Sequence, residues 1–224
     1  MIGVRPADAA GVAAAVEALA RGRLVLHPTE TLVSLTGDAW SAEAARAART
    51  LKGYDEPRPF LCLVADPAAA RALAAEWPAA AERLAAALWP GPLTLVVRAA
   101  AEAPEPVVAG GTIAIRPAAH PVARALVVAW GGPLFSTSAN RRGEPAPTLV
   151  EEAARSLEAG GDMVALGLVD AASAPERGSA APRTPGGAGP APPSTIVDVS
   201  GRPRLARAGA IPAERIREIV PELA

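Results

Sequence analysis

Residues 23–31, RLVLHPTET, decide the fold, because an apolar segment there runs directly into a polar turn. The segment Arg23–His27 predicts a buried strand, and Pro28 ends it because proline cannot donate to a ladder of hydrogen bonds. Just upstream, alanines and leucines at helical spacing predict a helix over Asp8–Arg21, with Gly22 as its stop. Polar groups at the end of a buried strand are where α/β folds open their ligand crevices, although an ordinary turn shows the same pattern.

Outward from this stretch, helices and strands alternate with short connections. Further strands are predicted at Phe60–Val64, Leu93–Arg98, Thr112–Arg116, Pro133–Thr137, Met163–Val169 and Thr195–Val199. Further helices are predicted at Ala42–Lys52, Pro67–Glu76, Pro78–Leu88, His120–Trp130 and Thr148–Ala159, with a last helix that begins at Pro212. The alternation predicts an α/β sheet in a single domain over residues 1–224. The segment Ala171–Pro193, rich in Ala, Pro, Gly and Ser, predicts a mobile loop.

Composition and charge exclude several classes of protein. Half of the 224 residues are hydrophobic, 20% are charged and the formal net charge is −1, which excludes a disordered or generally polybasic chain. The lone Cys62 excludes an internal disulfide framework and a cysteine-based zinc site. No apolar run reaches the roughly 18 residues of a membrane span, and charged residues near the N-terminus argue against a signal peptide. We therefore expect a soluble, cytoplasmic protein.

Polar segments that interrupt the apolar pattern are the candidates for binding. Lys52, the only lysine, and Arg58 follow a predicted helix, where they are suited to hold a polyphosphate. A helix-end lysine in a solvated loop would give the same pattern. Arg116 follows a glycine pair on a predicted strand, and it needs an anion if its face borders a cavity. The small polar groups of residues 136–140 suit contacts with phosphate or ribose.

Several familiar devices are missing from the sequence. It has neither a Walker-type lysine loop nor a Gly-x-Gly-x-x-Gly motif, so a nucleotide would be bound without them. His27, His120 and Cys62 are predicted to be structural, and their spacing indicates no metal site.

Taken in order, seven segments resemble the Sua5/YciO/YrdC family. They are residues 28–31 (PTET), 52–53 (KG), 89–95 (WPGPLTL), 112–116 (TIAIR), 120–121 (HP), 138–140 (SAN) and 194–198 (STIVD). Each motif alone is weak, whereas the ordered set is specific and runs from about Arg21 to Ala210. The resemblance implies the single-domain YrdC-like fold, a twisted mixed α/β sheet flanked by helices with a concave, positively charged ligand-binding face.

The resemblance also implies an activity. The family's best-known members join L-threonine, bicarbonate and ATP into threonylcarbamoyl-AMP and pyrophosphate, the first step of the N6-threonylcarbamoyladenosine (t6A) modification of tRNA. This implies Mg²⁺ with the ATP, and as partners tRNA or the downstream threonylcarbamoyl-transferase complex. By resemblance, the catalytic residues are Lys52 and Arg58, which also contact ATP. The residues implied to bind L-threonine are Thr31, Arg116, Ser138 and Ser194. The further residues implied to bind ATP are Thr112, Asn140, Thr148 and Arg207.

The chain departs from the family pattern at several positions. Tyr54 stands where the family usually has an arginine, Val33-Ser34 replaces Tyr-Gly, Leu63 replaces a histidine and Pro193 replaces a glutamate. Three functions therefore stay open. The first is threonylcarbamoyl-AMP synthesis, the second is a related carbamoyl- or acyl-adenylate reaction with another substrate, and the third is a non-catalytic RNA-binding role.

Overall fold

The computed structural model describes residues 4–54, 58–157, 163–167 and 192–224. Within these ranges the helices are α1 (Ala9–Ala20), α2 (Ala42–Lys52), α3 (Pro67–Ala72), α4 (Ala79–Leu88), α5 (Pro121–Trp130), α6 (Val150–Leu157) and α7 (Ala213–Ile219). The strands are β1 (Val4–Pro6), β2 (Leu24–His27), β3 (Ser34–Asp38), β4 (Leu61–Val64), β5 (Leu93–Arg98), β6 (Val108–Ala109), β7 (Thr112–Pro117), β8 (Leu134–Ser138), β9 (Met163–Gly167), β10 (Thr195–Asp198) and β11 (Arg204–Arg207).

These strands form one mixed sheet, which confirms the predicted fold class. Its order is β1-β9-β2-β3-β8-β4-β7-β5-β10-β11, with the short β6 paired to β7. The pairs β1–β9, β2–β9, β4–β7 and β5–β10 are parallel, and the others are antiparallel. Strands from the two ends of the chain therefore lie at opposite edges of the sheet.

Helices cover the two faces of the sheet unequally. One face carries the larger apolar cluster, in which Ile113, Ile115 and Phe135 pack with residues of α2, α3, α4, α6 and α7. On the other face, α1 and α5 bury a smaller cluster that includes Leu63 and Leu134. Side chains alternate along a strand, so Ser136 and Ser138 lie on the same face as Leu134 but beyond the two covering helices.

Local signals place α2 where the sequence predicts it. The Ser41 hydroxyl caps the helix by accepting from the Ala44 amide at 3.1 Å, and Gly53 ends it in the left-handed conformation with φ of 71°. The third predicted helix is shorter than expected. It ends at Ala72 because the following residues bond to the end of β5, where the Ala75 amide donates to the Arg98 carbonyl at 2.9 Å.

Four strands that the sequence does not reveal complete the sheet, namely β1, β3, β6 and β11. Strand β3 contains Gly37, which disfavours a strand. The glycine is required there because a Cβ atom would lie 2.5 Å from Cζ of Phe135 on the neighbouring strand. The predicted loop Ala171–Pro193 lies outside the described residues except for its last two. No helix in the described ranges is both long and apolar enough to cross a membrane.

Candidate active site

A cleft of about 510 Å³ opens on the part of the sheet face that α1 and α5 leave free. Its floor is made by alternate residues of neighbouring strands, among them Thr94 of β5, Thr112 of β7 and Ser136 of β8. These side chains are small or carry hydroxyls, so the face leaves room for a ligand and offers it hydrogen bonds. Among the described residues that line the cleft, the charged ones are Arg58, Arg116 and Arg207.

The cleft brings together most of the residues singled out from the sequence. Those that line it are Thr31, Arg58, Thr112, Arg116, Ser138, Ser194 and Arg207. Lys52 and Asn140 lie directly behind Ser138 rather than on the lining. Thr148, predicted as the cap of this helix, is exposed in the bend before α6, which begins at Val150, one residue later than predicted.

Arg116 is a buried cation with an unused donor. Its side chain is 5% exposed, and its Nη1 lies 2.8 Å from Oε1 of Glu30, whose side chain is 10% exposed. Among the described residues, Nε of Arg116 has no hydrogen-bond partner, and Oε1 of Glu30 accepts no hydrogen bond of good geometry. Burial lowers the pKa of Arg116, and the negative charge of Glu30 opposes this shift. A buried unpaired N–H is costly, so an anionic group of a ligand would stabilise it.

Two histidines next to this ion pair are neutral at pH 7. The pKa of His27 is lowered to about 4, chiefly by burial and to a smaller extent by the charges of His120 and Arg116, whereas the hydrogen bond with the Pro28 carbonyl acts to raise it. Its Nδ1 lies 3.0 Å from the Pro28 carbonyl, while its Nε2 has no partner in the part of the chain that the structure describes. Burial also lowers the pKa of His120, which accepts a hydrogen bond from the Val122 amide as the cap of α5. Glu30 therefore supplies the negative charge that balances Arg116 in this cluster.

The opposite wall of the cleft is built by β10 and β11. Arg207 donates from Nε and Nη2 to the Ser194 carbonyl, at 3.1 and 2.8 Å, and its Nη2 also lies 3.0 Å from the Ser194 hydroxyl. That hydroxyl is 3.0 Å from the hydroxyl of Thr94. Burial and then the charge of Arg116 lower the pKa of Arg207. Arg116 and Arg207 are therefore close enough for their charges to interact across the cleft.

Lys52 is held behind the cleft by its own hydrogen bonds. It ends α2 on the far face of the sheet, is 1% exposed, and reaches the turn that follows β8. Its Nζ donates to the Ser138 carbonyl, to the Asn140 carbonyl at 2.8 Å and to Asn140 Oδ1 at 3.5 Å. An ammonium has three N–H donors, so these oxygens occupy all of them. Burial lowers the pKa of Lys52 to about 8.

Tyr54 occupies the position where the family resemblance leads one to expect an arginine. It lines the cleft immediately after the glycine that ends α2. Nζ of Lys52 lies 5.5 Å from the centre of its ring, and Cζ of Arg58 lies 5.4 Å from it. The ring therefore contacts two cations.

Sequence reasoning missed part of the cleft. The buried hydroxyl of Ser34 lies 2.7 Å from that of Ser136 on the floor, and neither Ser34 as a cleft residue nor the pairing of Glu30 with Arg116 was predicted. The available signal was the presence of hydroxyl residues, such as Thr94, Ser136 and Ser194, in or next to otherwise apolar strands. Buried strands normally carry larger apolar side chains. In the described ranges, no three His, Cys, Asp or Glu side chains converge as a metal site would require.

Comparison with known proteins gives the family. The family model Sua5/yciO/yrdC, which carries the description "Telomere recombination", matches residues 17–175. A Mycobacterium tuberculosis protein is 34% identical over 212 residues, which are 94% of this chain and 89% of that protein. The threonylcarbamoyl-AMP synthase of Bacillus subtilis is 34% identical over 149 residues, which are 66% of this chain and 43% of that enzyme.

Solved structures give the same fold. The crystal structure of Pyrococcus abyssi Sua5 complexed with L-threonine superposes with a TM-score of 0.79 at 28% identity. The match covers 95% of this chain and 58% of that chain, so this chain spans little more than half of the Pyrococcus protein. Escherichia coli YciO matches with a TM-score of 0.73 at 22% identity over 93% of this chain and 96% of its own, a likeness of fold.

Proposed function

Because the chain belongs to the Sua5/YciO/YrdC family, we propose that it is a threonylcarbamoyl-AMP synthase, which joins L-threonine, bicarbonate and ATP. The observation that carries the proposal is buried Arg116, whose Nε has no partner among the described residues, on a cleft whose other described charged lining residues are also arginines. All three substrates are or carry anions, and a cleft of this charge suits them.

The reaction requires two bonds to form. The neutral amino group of L-threonine attacks the carbon of bicarbonate, from which hydroxide leaves and takes up the amine proton as water, or attacks the CO₂ that bicarbonate releases and loses a proton to solvent. Either route gives a carbamate. An oxygen of the carbamate then attacks the α-phosphorus of ATP, and pyrophosphate leaves with the electron pair of the broken P–O bond. Both partners of the second step are negative, so fixed cations must reduce their repulsion.

The L-threonine subsite that we propose lies around Arg116. Its Nε would take the carboxylate, with Glu30 holding the guanidinium from behind. The hydroxyls of Thr31, Ser138 and Ser194 border the same cleft and are suited to the polar groups of the amino acid.

The ATP subsite that we propose includes Arg58 and Arg207, which line the cleft with Thr112. Lys52 fixes the turn that carries Asn140. A contact between Thr148 and the nucleotide stays a prediction, because that residue lies outside the cleft lining. We treat Mg²⁺ as part of the MgATP substrate, with the arginines sharing the neutralisation of the phosphates.

The product would serve the t6A modification of tRNA. We propose tRNA or the downstream threonylcarbamoyl-transferase complex as the partner that receives the adenylate, and the cytoplasm as the place of the reaction. The adenylate is an activated anhydride that water destroys, so a short route to the acceptor is advantageous.

Incubation with ¹⁴C-bicarbonate, MgATP and each amino acid in turn tests this proposal. We expect labelled adenylate and equimolar pyrophosphate with L-threonine, and loss of both in Arg116→Gln. Label with a different amino acid would identify the related adenylate-forming reaction instead. No label with any amino acid, from protein that binds ATP, would favour the non-catalytic role.

A further inference from the structure

Tyr54 is the only tyrosine of the chain, and its ring joins the buried interior to the cleft. It is half-buried and lines the cleft together with Arg58. Its backbone is fixed, since the Tyr54 amide donates to the Arg49 carbonyl at 3.0 Å at the end of α2. The two cations beside it differ, because Lys52 is buried whereas Arg58 is exposed.

The ring contacts are those of cation–π pairs. Both cations lie within the roughly 6 Å at which the negative face of an aromatic ring attracts a positive charge. Lys52 cannot move, because its three donors are bonded to oxygens of the turn after β8. The ring is thus attached to a fixed charge, and Arg58 is the cation that it can hold in place.

A side chain of another kind would not give this arrangement. An arginine at position 54 would bring a third positive charge close to Lys52 and Arg58, and the three would repel one another. An aliphatic side chain would leave the exposed guanidinium of Arg58 free to turn into solvent, because no ring would attract it.

We propose that Tyr54 is a positioning residue that holds the guanidinium of Arg58 over the cleft for a polyphosphate ligand. The inference rests on the proposed function in one respect, the binding of ATP and release of pyrophosphate in this cleft. It assigns to the aromatic ring, and not to the hydroxyl, the task of keeping a cation available at this wall.

A double-mutant cycle tests the inference, with pyrophosphate as the calorimetric probe. Tyr54→Leu and Arg58→Met are each expected to weaken binding about fivefold to tenfold, and the double variant no more than Arg58→Met alone. Tyr54→Phe, which keeps the ring, should retain at least half of the affinity. In turnover assays, Tyr54→Leu should raise KM for ATP with little change in kcat.

Labelled lysine gives a readout that is independent of activity, because Lys52 is the only lysine. We expect its single side-chain NMR signal to lose the ring-current shift in Tyr54→Leu and to keep it in Tyr54→Phe. Losses of pyrophosphate affinity that add in the double variant would overturn the inference, and so would a loss in Tyr54→Phe equal to that in Tyr54→Leu. In either case, synthase activity of the wild-type protein would leave the proposed function standing. Wild-type protein that forms no adenylate and binds no pyrophosphate would overturn both.

Discussion

The surroundings of Lys52 and of Arg116 are the most informative comparison in this molecule. Both are buried cations, Lys52 at the end of α2 and Arg116 on β7, and burial lowers the pKa of each. All three donors of Lys52 are bonded to oxygens of one turn. Nη1 of Arg116 lies beside the carboxylate of Glu30, and its Nε has no partner within the described ranges. The partners of each N–H donor therefore lead us to expect that Lys52 organises the protein, whereas Arg116 binds a ligand.

The largest effect that we expect is on stability, from Lys52→Met. The change removes the ammonium donor from the carbonyls of Ser138 and Asn140, whereas Asn140 Oδ1 keeps its hydrogen bond from the Ser138 hydroxyl, and we expect the free energy of unfolding to fall by about 4 kcal/mol. Urea denaturation measures it, with Arg46→Met on the exposed side of the same helix as the matched control. Unchanged stability with lost activity would show that Lys52 acts on the substrate, and the comparison would fail.

Arg116→Gln should act mainly on binding. Loss of the charged donor is expected to weaken the affinity for L-threonine about 100-fold, which corresponds to about 3 kcal/mol. The variant also leaves Glu30 buried without its partner, so stability should fall as well. The double variant Arg116→Gln/Glu30→Gln separates the two effects, because it should recover stability and not binding. Recovery of binding in the double variant would contradict a ligand role for Arg116.

His27 makes the neighbourhood of Arg116 sensitive to acid. Its pKa is about 4 in the folded protein and 6.5 in the unfolded chain, so the unfolded state binds the proton first as the pH falls. Above about pH 6.5 the titration of His27 leaves the free energy of unfolding unchanged. As the pH falls to 4, this free energy should decrease by about 3 kcal/mol. Urea denaturation across this range should give a flatter profile for His27→Asn. Equal slopes for the two proteins would mean that other groups cause the acid sensitivity.

The smallest effect is expected from Thr148→Ala. Because the residue is exposed and outside the cleft, the free energy of unfolding should change by less than about 0.5 kcal/mol. The loss of one neutral hydrogen bond to nucleotide would raise KM for ATP by about fivefold at most. A larger rise would show that the bend before α6 belongs to the ATP subsite.

The sequence was sufficient to predict those features of the fold that depend on neighbouring residues. Ser41 and Gly53 mark the ends of α2, and alternation of elements predicts the α/β class. Strand β3 was missed because its place depends on Phe135, whose ring fills the space that a side chain at Gly37 would need. Such a contact is set by the pairing of β3 with β8 and leaves no mark in nearby sequence.

The same limit applies to the site. Lys52 was a candidate because it is the only lysine, and Arg116 because of its strand. Their different surroundings could not be predicted, since the oxygens that hold Lys52 lie on Ser138 and Asn140, and Glu30 reaches Arg116 from another strand's end. Charge and spacing identify such residues, whereas the partners of each donor require the tertiary structure.

The order of strands across the sheet has a consequence for synthesis of the protein in the cell. The cleft combines Thr29, from an early segment, with Ser194 and Arg207, which come with β10 and β11. A ribosome that has translated β9 still needs roughly 2 to 8 seconds to reach Arg207 at ordinary rates of elongation. A nascent chain without β10 and β11 therefore lacks the wall of the cleft to which Ser194 and Arg207 belong. A ligand that needs Ser194 or Arg207 would therefore stabilise the protein only once these last strands have docked.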